Sequence, residues 1–545
     1  MRRKLLAPGG AFLGALLAVL LLASLAVAQS SQFPLDVSPE VSDLLRKGQQ
    51  LEVERRWGDA LTLYEDAVRE YPDDRSLHRR FEHAREHYDL TRRYEDRSYR
   101  ELLDRLSLVE ALDVYSEVLL KIQAHYVEAP NWKELVERGT NMLEVALSES
   151  TFLLWHAPAA DATALDNFRY ELRRELGPRV IQSRSDAREA VASAAALAQA
   201  RLGIPPHAVV LEYTCGAANT LDLYSAYLTP DQLTDVYAQI EGNFVGLGVE
   251  LKADDGELLI VRVISGSPAE RSGIRDGDRI ISVDGQSTRE LTTDQAANRL
   301  QGEAGSIVEL TVQSPGAQPR QVTVRRERVE VPSVDDVRLL DTSPGIGYLK
   351  LTCFQKTTCR DLEAALWDLH RAGMKSLIID VRGNPGGLLV TAVEVADQFV
   401  DQGVIVSTRG RSIQEDFTYS AHQLGTWRVP LVVLIDQQSA SAAEIFAGAI
   451  RHYRRGTIVG TRSYGKGSVQ GIFPLSQTGA GVRLTTSRFY SPSGRPYCHV
   501  GVEPDVLVQH VARPVSDSGE LPSAGGEDPM LAAALQAAQQ TVAQR

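Results

Sequence analysis

Two short apolar runs do most to limit what this chain can become. Ser376-Leu-Ile-Ile-Asp-Val381 and Pro430-Leu-Val-Val-Leu-Ile-Asp436 have the length of strands, and each is followed by a loop and then a helical pattern. A third strand, Ile346-Gly-Tyr-Leu-Lys-Leu351, precedes a helix from Thr358 to about Ala372. From Gly345 on, this succession of strands and helices reads as an α/β sheet. Successive βα turns bring their loops to one edge of such a sheet, where ligands bind. The loops placed there are Arg382-Gly-Asn-Pro-Gly-Gly387 and Gln437-Gln-Ser-Ala-Ser441.

Ser441 stands where a buried strand turns into a helix. The plain reading is an N-cap for the helix from Ala442 to Ile450. The chemical reading is a nucleophile whose hydroxyl is exposed while the Ala442 N–H points at a developing oxyanion. Gly386 and Gly387 offer a second N–H from the neighbouring turn, since without side chains they let substrate approach the backbone. A serine needs a base, and none of the chain's 11 histidines falls in an evident Ser-His-Asp arrangement. Lysine serves if burial lowers its pKa towards neutrality. Tyr464-Gly-Lys466-Gly-Ser-Val-Gln470, 25 residues past Ser441, supplies one between two glycines. The alternative is a solvated loop lysine. A strand continuing from Ser468 places Gln470 on the same side as Lys466, so its amide is expected to orient the amine. Ser463-Tyr-Gly-Lys466 also fits the S-x-x-K spacing of penicillin-recognising enzymes. That motif needs a helix, which Tyr-Gly-Lys-Gly disfavours, and its companion motifs are missing.

Length and composition frame the rest. With 545 residues and 43% hydrophobic content, three or four domains are expected. A net charge of −13 without basic clusters argues against nucleic acid as a partner. Arg2, Arg3 and Lys4, an apolar stretch from 11 to 25, and Ala26-Val27-Ala28 read as a signal peptide over 1–28. The chain is therefore expected in the periplasm or cell envelope, or membrane-associated through an uncleaved signal. The apolar stretch is shorter than the roughly 20 residues that span a bilayer. Cysteines 215, 353, 359 and 498 form no CxxC pair, so no zinc ribbon or redox motif is indicated. No metal or organic cofactor is implied.

Residues 41–99 carry Gly48, Ala60, Tyr64, Ala67 and Pro72 at the small, aromatic and breaker positions of a tetratricopeptide unit, with a further helix through Leu77, Phe81, Ala84 and Tyr88. A plain helical hairpin is the alternative. One unit and a half is too short for a solenoid and is expected to cap other helices or meet an adaptor or regulatory protein. Residues 101–242 are helical, with an Ala-, Arg- and Glu-rich insertion at 150–208. Over 243–328 short alternating strands appear between Gly- and Pro-bearing turns. Phe244-Val-Gly-Leu-Gly-Val249, Ser267-Pro-Ala-Glu-Arg-Ser-Gly-Ile274 and Gly277-Asp-Arg-Ile280 closely resemble a PDZ domain. Such a domain takes a chain end as an added strand, and the resemblance makes Val245, Gly246, Leu247 and Gly248 the peptide-binding loop. A PDZ domain that only packs on its neighbour is the alternative.

Together, Asp380–Gly387, Ser439–Glu444, Gly465–Gln470, Leu484–Arg495 and Gly501–Asp505 resemble the carboxyl-terminal processing peptidases, also called tail-specific proteases, over residues 101–148 and 216–510. The resemblance implies a multidomain α+β protein: a ClpP/crotonase-like α/β protease core over 329–510 with an inserted PDZ domain, preceded by the tetratricopeptide-like region and followed by a tail, 511–545, with an Ala/Gln-rich helix. It implies Ser441 as nucleophile, Lys466 as general base, Gln470 as orienter, and Gly386 and Ala442 as oxyanion donors. Substrates would be proteins or peptides with free C-termini, and a homo-oligomer is compatible with it. Two positions depart from the family pattern: His452 stands where an aspartate is common, and Gln301 where an arginine is common. The competing reading is an inactive scaffold that gathers envelope proteins.

Overall fold

The computed structural model describes residues 39–254, 257–290, 299–300, 302–341, 343, 345–422, 425–508 and 528–543. The signal segment, Gln301 and most of the polar tail lie outside them. The chain divides into two compact units at Arg93/Tyr94.

The first unit consists of α1 (Pro39–Val53), α2 (Trp57–Glu70) and most of α3 (Arg75–Glu95). Its core gathers Val41, Trp57, Ala60, Tyr64, Ala67, Leu77 and Ala84. Gly48 is what admits the Tyr64 ring, since a Cβ there would lie 2.2 Å from the ring carbon Cζ. The buried Glu52 carboxylate is satisfied by the Tyr64 hydroxyl at 2.7 Å and Arg80 Nε at 2.8 Å.

The second unit opens with helices α4 (Arg97–Arg105), α5 (Leu108–His125), α6 (Trp132–Ala146), α7 (Ser150–His156), α8 (Ala162–Leu176), α9 (Arg184–Leu202) and α10 (Pro206–Asn219). The expected insertion is thus three helices, α7 to α9. Helix α10 is buried on every side from Ala208 onward. It approaches α6 closely because Gly216 faces Gly139, where an added Cβ would sit 2.7 Å from the Gly139 Cα. Strand β1 (Ala226–Leu228) follows, and then α11 (Pro230–Glu241), capped by Thr229 and Gln232 and ended by Gly242 at φ +78°.

Strands β2 (Asn243–Gly246), β3 (Val249–Asp254), β4 (Glu257–Val263), the short helix α12 (Pro268–Arg271), β5 (Arg279–Val283), β6 (Gln286–Ser287), β7 (Ile307–Gln313), β8 (Arg320–Arg325) and β9 (Glu327–Glu330) come next. The main sheet runs β3-β4-β5-β7-β8, so β3 is an edge strand, while β2 pairs with β9. Alternate residues of β4, β5 and β7, among them Leu258, Ile260, Ile280, Val308, Leu310 and Val312, build its core.

The last region holds β10 (Val334–Asp341), β11 (Ile346–Leu351), α13 (Thr358–Arg371), β12 (Ser376–Asp380), α14 (Leu389–Asp397), β13 (Gly403–Gly410), β14 (Phe417–Ala421), β15 (Leu431–Ile435), α15 (Ala442–His452), β16 (Thr457–Gly460), β17 (Ser468–Pro474), β18 (Gly481–Tyr490), β19 (Val506–Leu507) and α16 (Pro529–Ala543). One sheet runs β10-β11-β12-β15-β16-β19, parallel except for β10. Its two faces are legible in alternation along β15. Leu431, Val433 and Ile435 join the core with residues of α13, α14 and α15, whereas Val432 and Leu434 join Met530, Ala534 and Ala538 of α16. The Ala/Gln-rich helix therefore covers the second face of the sheet, and its small side chains permit close approach. A second sheet, β1-β18-β13-β14 with β17 also on β18, stands beside it. The four cysteines are free thiols. No helix among the described residues is long and apolar enough to cross a membrane.

Ala534 is fully buried against the sheet, so Ala534→Asp introduces a charge with no partner. The expected loss is about 3 kcal/mol or more of stability, read as a lowered midpoint in urea unfolding. An unchanged midpoint would place α16 elsewhere.

Candidate active site

Parallel pairing sets Asp380 beside Leu434, so the loops after β12 and β15 leave the same edge of the sheet. They are tied together by backbone and carboxylate. Asp436 Oδ1 accepts the N–H groups of Gly383 at 3.0 Å, Gln438 at 3.0 Å and Ser439 at 2.9 Å. Ser439 Oγ donates to the Val381 carbonyl at 2.8 Å, and the Ala440 N–H to the Asn384 carbonyl at 2.9 Å. Ser441 emerges from this turn at φ 57°, ψ −113°. Ordinary N-caps sit in the β region, so the plain capping role does not account for it. A non-glycine residue held there costs on the order of 1–3 kcal/mol and persists only where its surroundings over-determine it.

Glu444, in the first turn of α15, is the main constraint. It is fully buried, and its two oxygens accept four hydrogen bonds. Oε2 takes the Ser441 N–H at 2.7 Å and the Lys466 N–H at 2.9 Å. Oε1 takes the Ser463 hydroxyl at 2.6 Å and the Gly465 N–H at 2.7 Å. One carboxylate oxygen thus joins the backbones of the two residues singled out for chemistry. Burial pushes its pKa up, against the pull of the four donors. Sequence reasoning assigned Glu444 no role. The signal was present as S-x-x-E, a capping-box spacing, with nothing to show that the glutamate would be enclosed.

Lys466 is not a solvated loop residue. Its amine is pushed down from 10.5 to about 8, first by burial and then by the nearby Arg483 guanidinium, with Glu444 and Asp222 opposing. Nζ lies 4.5 Å from the centroid of the Tyr224 ring. The flanking glycines let the main chain pack closely: a Cβ at Gly467 would lie 2.3 Å from the Cys498 nitrogen. Ser463 is 95% buried, donates to Glu444 and accepts the Val502 N–H at 2.7 Å. Fully engaged and not on a helix with Lys466, it is excluded as the nucleophile of an S-x-x-K pair. Among the described residues no hydrogen bond joins Ser441 Oγ to Lys466 Nζ. Such contacts in free enzymes often tighten only when substrate binds.

Several expected placements differ. The Gln470 amide donates to Ser468 Oγ at 2.9 Å and makes no hydrogen bond to Lys466 among the described residues. Lys466 precedes β17, and a bulge between Val469 and Gln470 breaks the alternation on which the expectation rested. The Gly386 N–H donates to Asn384 Oδ1 at 2.8 Å, so it is not directed at an oxyanion here. What Gly386 supplies is room: a Cβ there would lie 2.7 Å from the Ser441 Cβ and 3.0 Å from the Ala442 nitrogen. The N–H groups of Gly387 and Ala442 donate to no acceptor among the described residues. Asn384, fully buried, fixes this turn by also donating Nδ2 to the Leu351 carbonyl at 2.8 Å. His452 is exposed at the end of α15, its ring against Tyr453. Of the peptide-binding residues, Val245 and Gly246 are paired with Arg328 and Glu327 on β9. Leu247 and Gly248 make the turn into edge strand β3, with Gly248 at φ +82°.

Comparison with known proteins adds two family matches and several relatives. Residues 345–508 match Peptidase family S41, and residues 259–314 match the PDZ domain. The carboxy-terminal-processing protease of Bartonella bacilliformis is 38% identical over 301 residues, which cover 54% of this chain and 68% of that protein. The carboxyl-terminal-processing protease of Synechocystis sp. is 34% identical over 292 residues, covering 52% and 67%. Among solved structures, the photosystem II D1 C-terminal processing protease aligns with a TM-score of 0.39 at 26% identity, covering 73% of this chain and 92% of that one.

The lowered pKa of Lys466 has a measurable sign. The folded chain releases that proton near pH 8 and the unfolded chain near 10.5, so between these values the unfolded state binds more protons and stability rises with pH. Below pH 8 the buried charge opposes folding by up to about 3 kcal/mol. Lys466→Met should therefore be more stable than the native chain at pH 7 in urea unfolding, and should lose the rise between pH 8 and 10.5. Equal stability of the two at pH 7 would mean that the amine is not desolvated.

Proposed function

The chain belongs to Peptidase family S41, and from that premise we propose that it is an exported endopeptidase that captures C-terminal tails on its PDZ domain and cleaves the chain through a Ser441/Lys466 acyl-enzyme route. The observation that carries this reading is Glu444 Oε2, which holds the backbones of both residues while burial leaves the Lys466 amine titrating near 8.

In the proposed cycle the neutral amine takes the Ser441 proton as Oγ bonds to the scissile carbonyl carbon. The resulting oxyanion faces the Ala442 and Gly387 N–H groups, whose donors are otherwise unused. Collapse breaks the C–N bond, and Lys466 returns the proton to the departing amine of the C-terminal fragment. Water, giving its proton to the same amine, then adds to the Ser441 ester; the acyl C–O bond breaks, Lys466 returns the proton to Ser441 Oγ, and the remaining chain leaves as its carboxylate. Asn384 and Asp436 keep the two donor loops in register. For tail capture, the Leu247–Gly248 turn meets the terminal carboxylate and the tail adds as a strand to the open edge of β3. We read the 41–99 helices as a tetratricopeptide-like module for a regulatory partner, and the parallel-sheet core as ClpP/crotonase-like. A scaffold would have no use for a strained serine beside a desolvated lysine.

Ser441→Ala and Lys466→Ala should each abolish tail cleavage while tail binding, followed by fluorescence anisotropy, persists. Cleavage that survives in either variant would refute the assignment. Glu444→Gln replaces one acceptor by a donor facing backbone N–H groups. It should lower kcat about fivefold or more, since one unsatisfied buried donor costs about 1–3 kcal/mol, with little change in KM.

A further inference from the structure

Lys466 lies among groups from three places: Asp222 and Tyr224 from the strap between α10 and β1, Arg483 from β18, and Glu444 from α15. Of these, Tyr224 presents a ring face to the amine, 4.5 Å from centroid to Nζ. The ring is itself fixed at several points. The Tyr224 N–H donates to Asp222 Oδ1 at 2.7 Å, and the Tyr224 carbonyl accepts from Arg483 Nε at 2.8 Å. Its phenol interacts with that of Tyr464, whose N–H reaches the Ser439 carbonyl at 3.0 Å on the nucleophile turn. Burial drives the phenol far above its ordinary pKa, so it stays neutral and brings no negative charge to the amine.

We propose that Tyr224, from outside the segment matched to the peptidase family, is a positioning residue for the general base: its ring walls the compartment of the Lys466 amine, excludes water from it and aims Nζ along the ring face. The proposal rests on Lys466 being that base. Two opposed effects follow from one ring. Its π-face favours the cation, and its bulk keeps off the water that would favour the cation more strongly. Because burial is the largest influence on the amine, exclusion of water is the one that prevails.

The test titrates the amine directly in the full-length protein, by carbon-13 NMR after reductive methylation of lysines, with the Lys466 signal identified by its loss in Lys466→Arg. In Tyr224→Ala water reaches the amine, and its midpoint should rise by about one unit or more, with the acid limb of kcat/KM moving by the same amount. Tyr224→Phe keeps the wall and should leave both where they are in the native enzyme. Tyr224→Leu keeps an apolar wall without a ring face and should lower the midpoint. Unchanged midpoints in the Ala and Leu variants overturn the proposal, as does a Phe variant shifted as far as Ala. A midpoint that rises while the acid limb stays put upholds the wall and instead removes Lys466 from the role of base.

Discussion

A single buried carboxylate ties the Ser441 turn to the Lys466 loop. Glu444 has no cation among its four hydrogen-bond donors. Its charge is spread over two backbone N–H groups of the Lys466 loop, one of the Ser441 turn and one hydroxyl. That arrangement answers the expense of burying an ionised group, and it converts the expense into position, because every donor has to stand in one place to satisfy it. The uncommon backbone of Ser441 is sustained for the same reason. The carboxylate also draws the Lys466 proton in the unhelpful direction, yet the amine still titrates low. Enclosure outweighs the neighbouring negative charge.

The remainder of the fold serves that arrangement at increasing distance. Parallel pairing of β12 and β15 delivers two loops to one edge, Asp436 and Asn384 bolt them to each other, and helices on both faces keep the strands beneath them dry. Glycine enters where backbones nearly touch. Gly387 runs so close to Phe354 that a Cβ would lie 2.1 Å from its carbonyl oxygen, which leaves the floor of the site made of main chain.

The parallel sheet and the positions of Ser441 and Lys466 were legible in the sequence because uninterrupted apolar runs and glycine-flanked polar residues carry their meaning locally. The strands of the 243–328 segment could be read for the same reason, from alternation and turn residues. Long-range relations could not be read. Glu444 is one helical turn from Ser441 in sequence, but its decisive partners are 19 to 22 residues away. Neither the bulge between Val469 and Gln470 nor the Asn384 side chain that accepts the Gly386 N–H is announced by a local pattern. Strands β13 and β14 went unread, and α16 could be read as a helix but not as the cover of the sheet's second face, since an alanine-rich stripe suits any tightly packed surface.

Strand β1 pairs with β18 through Ala226↔Arg483, Tyr227↔Val482 and Leu228↔Gly481, and the Val127 N–H donates to the Thr485 carbonyl. The family match begins only at residue 345. A polypeptide trimmed to that match would therefore keep its serine and its lysine and lose a strand from the sheet that carries the lysine loop. The sheet beneath the Lys466 loop is assembled from stretches far apart in the chain, with the PDZ segment lying between them in sequence.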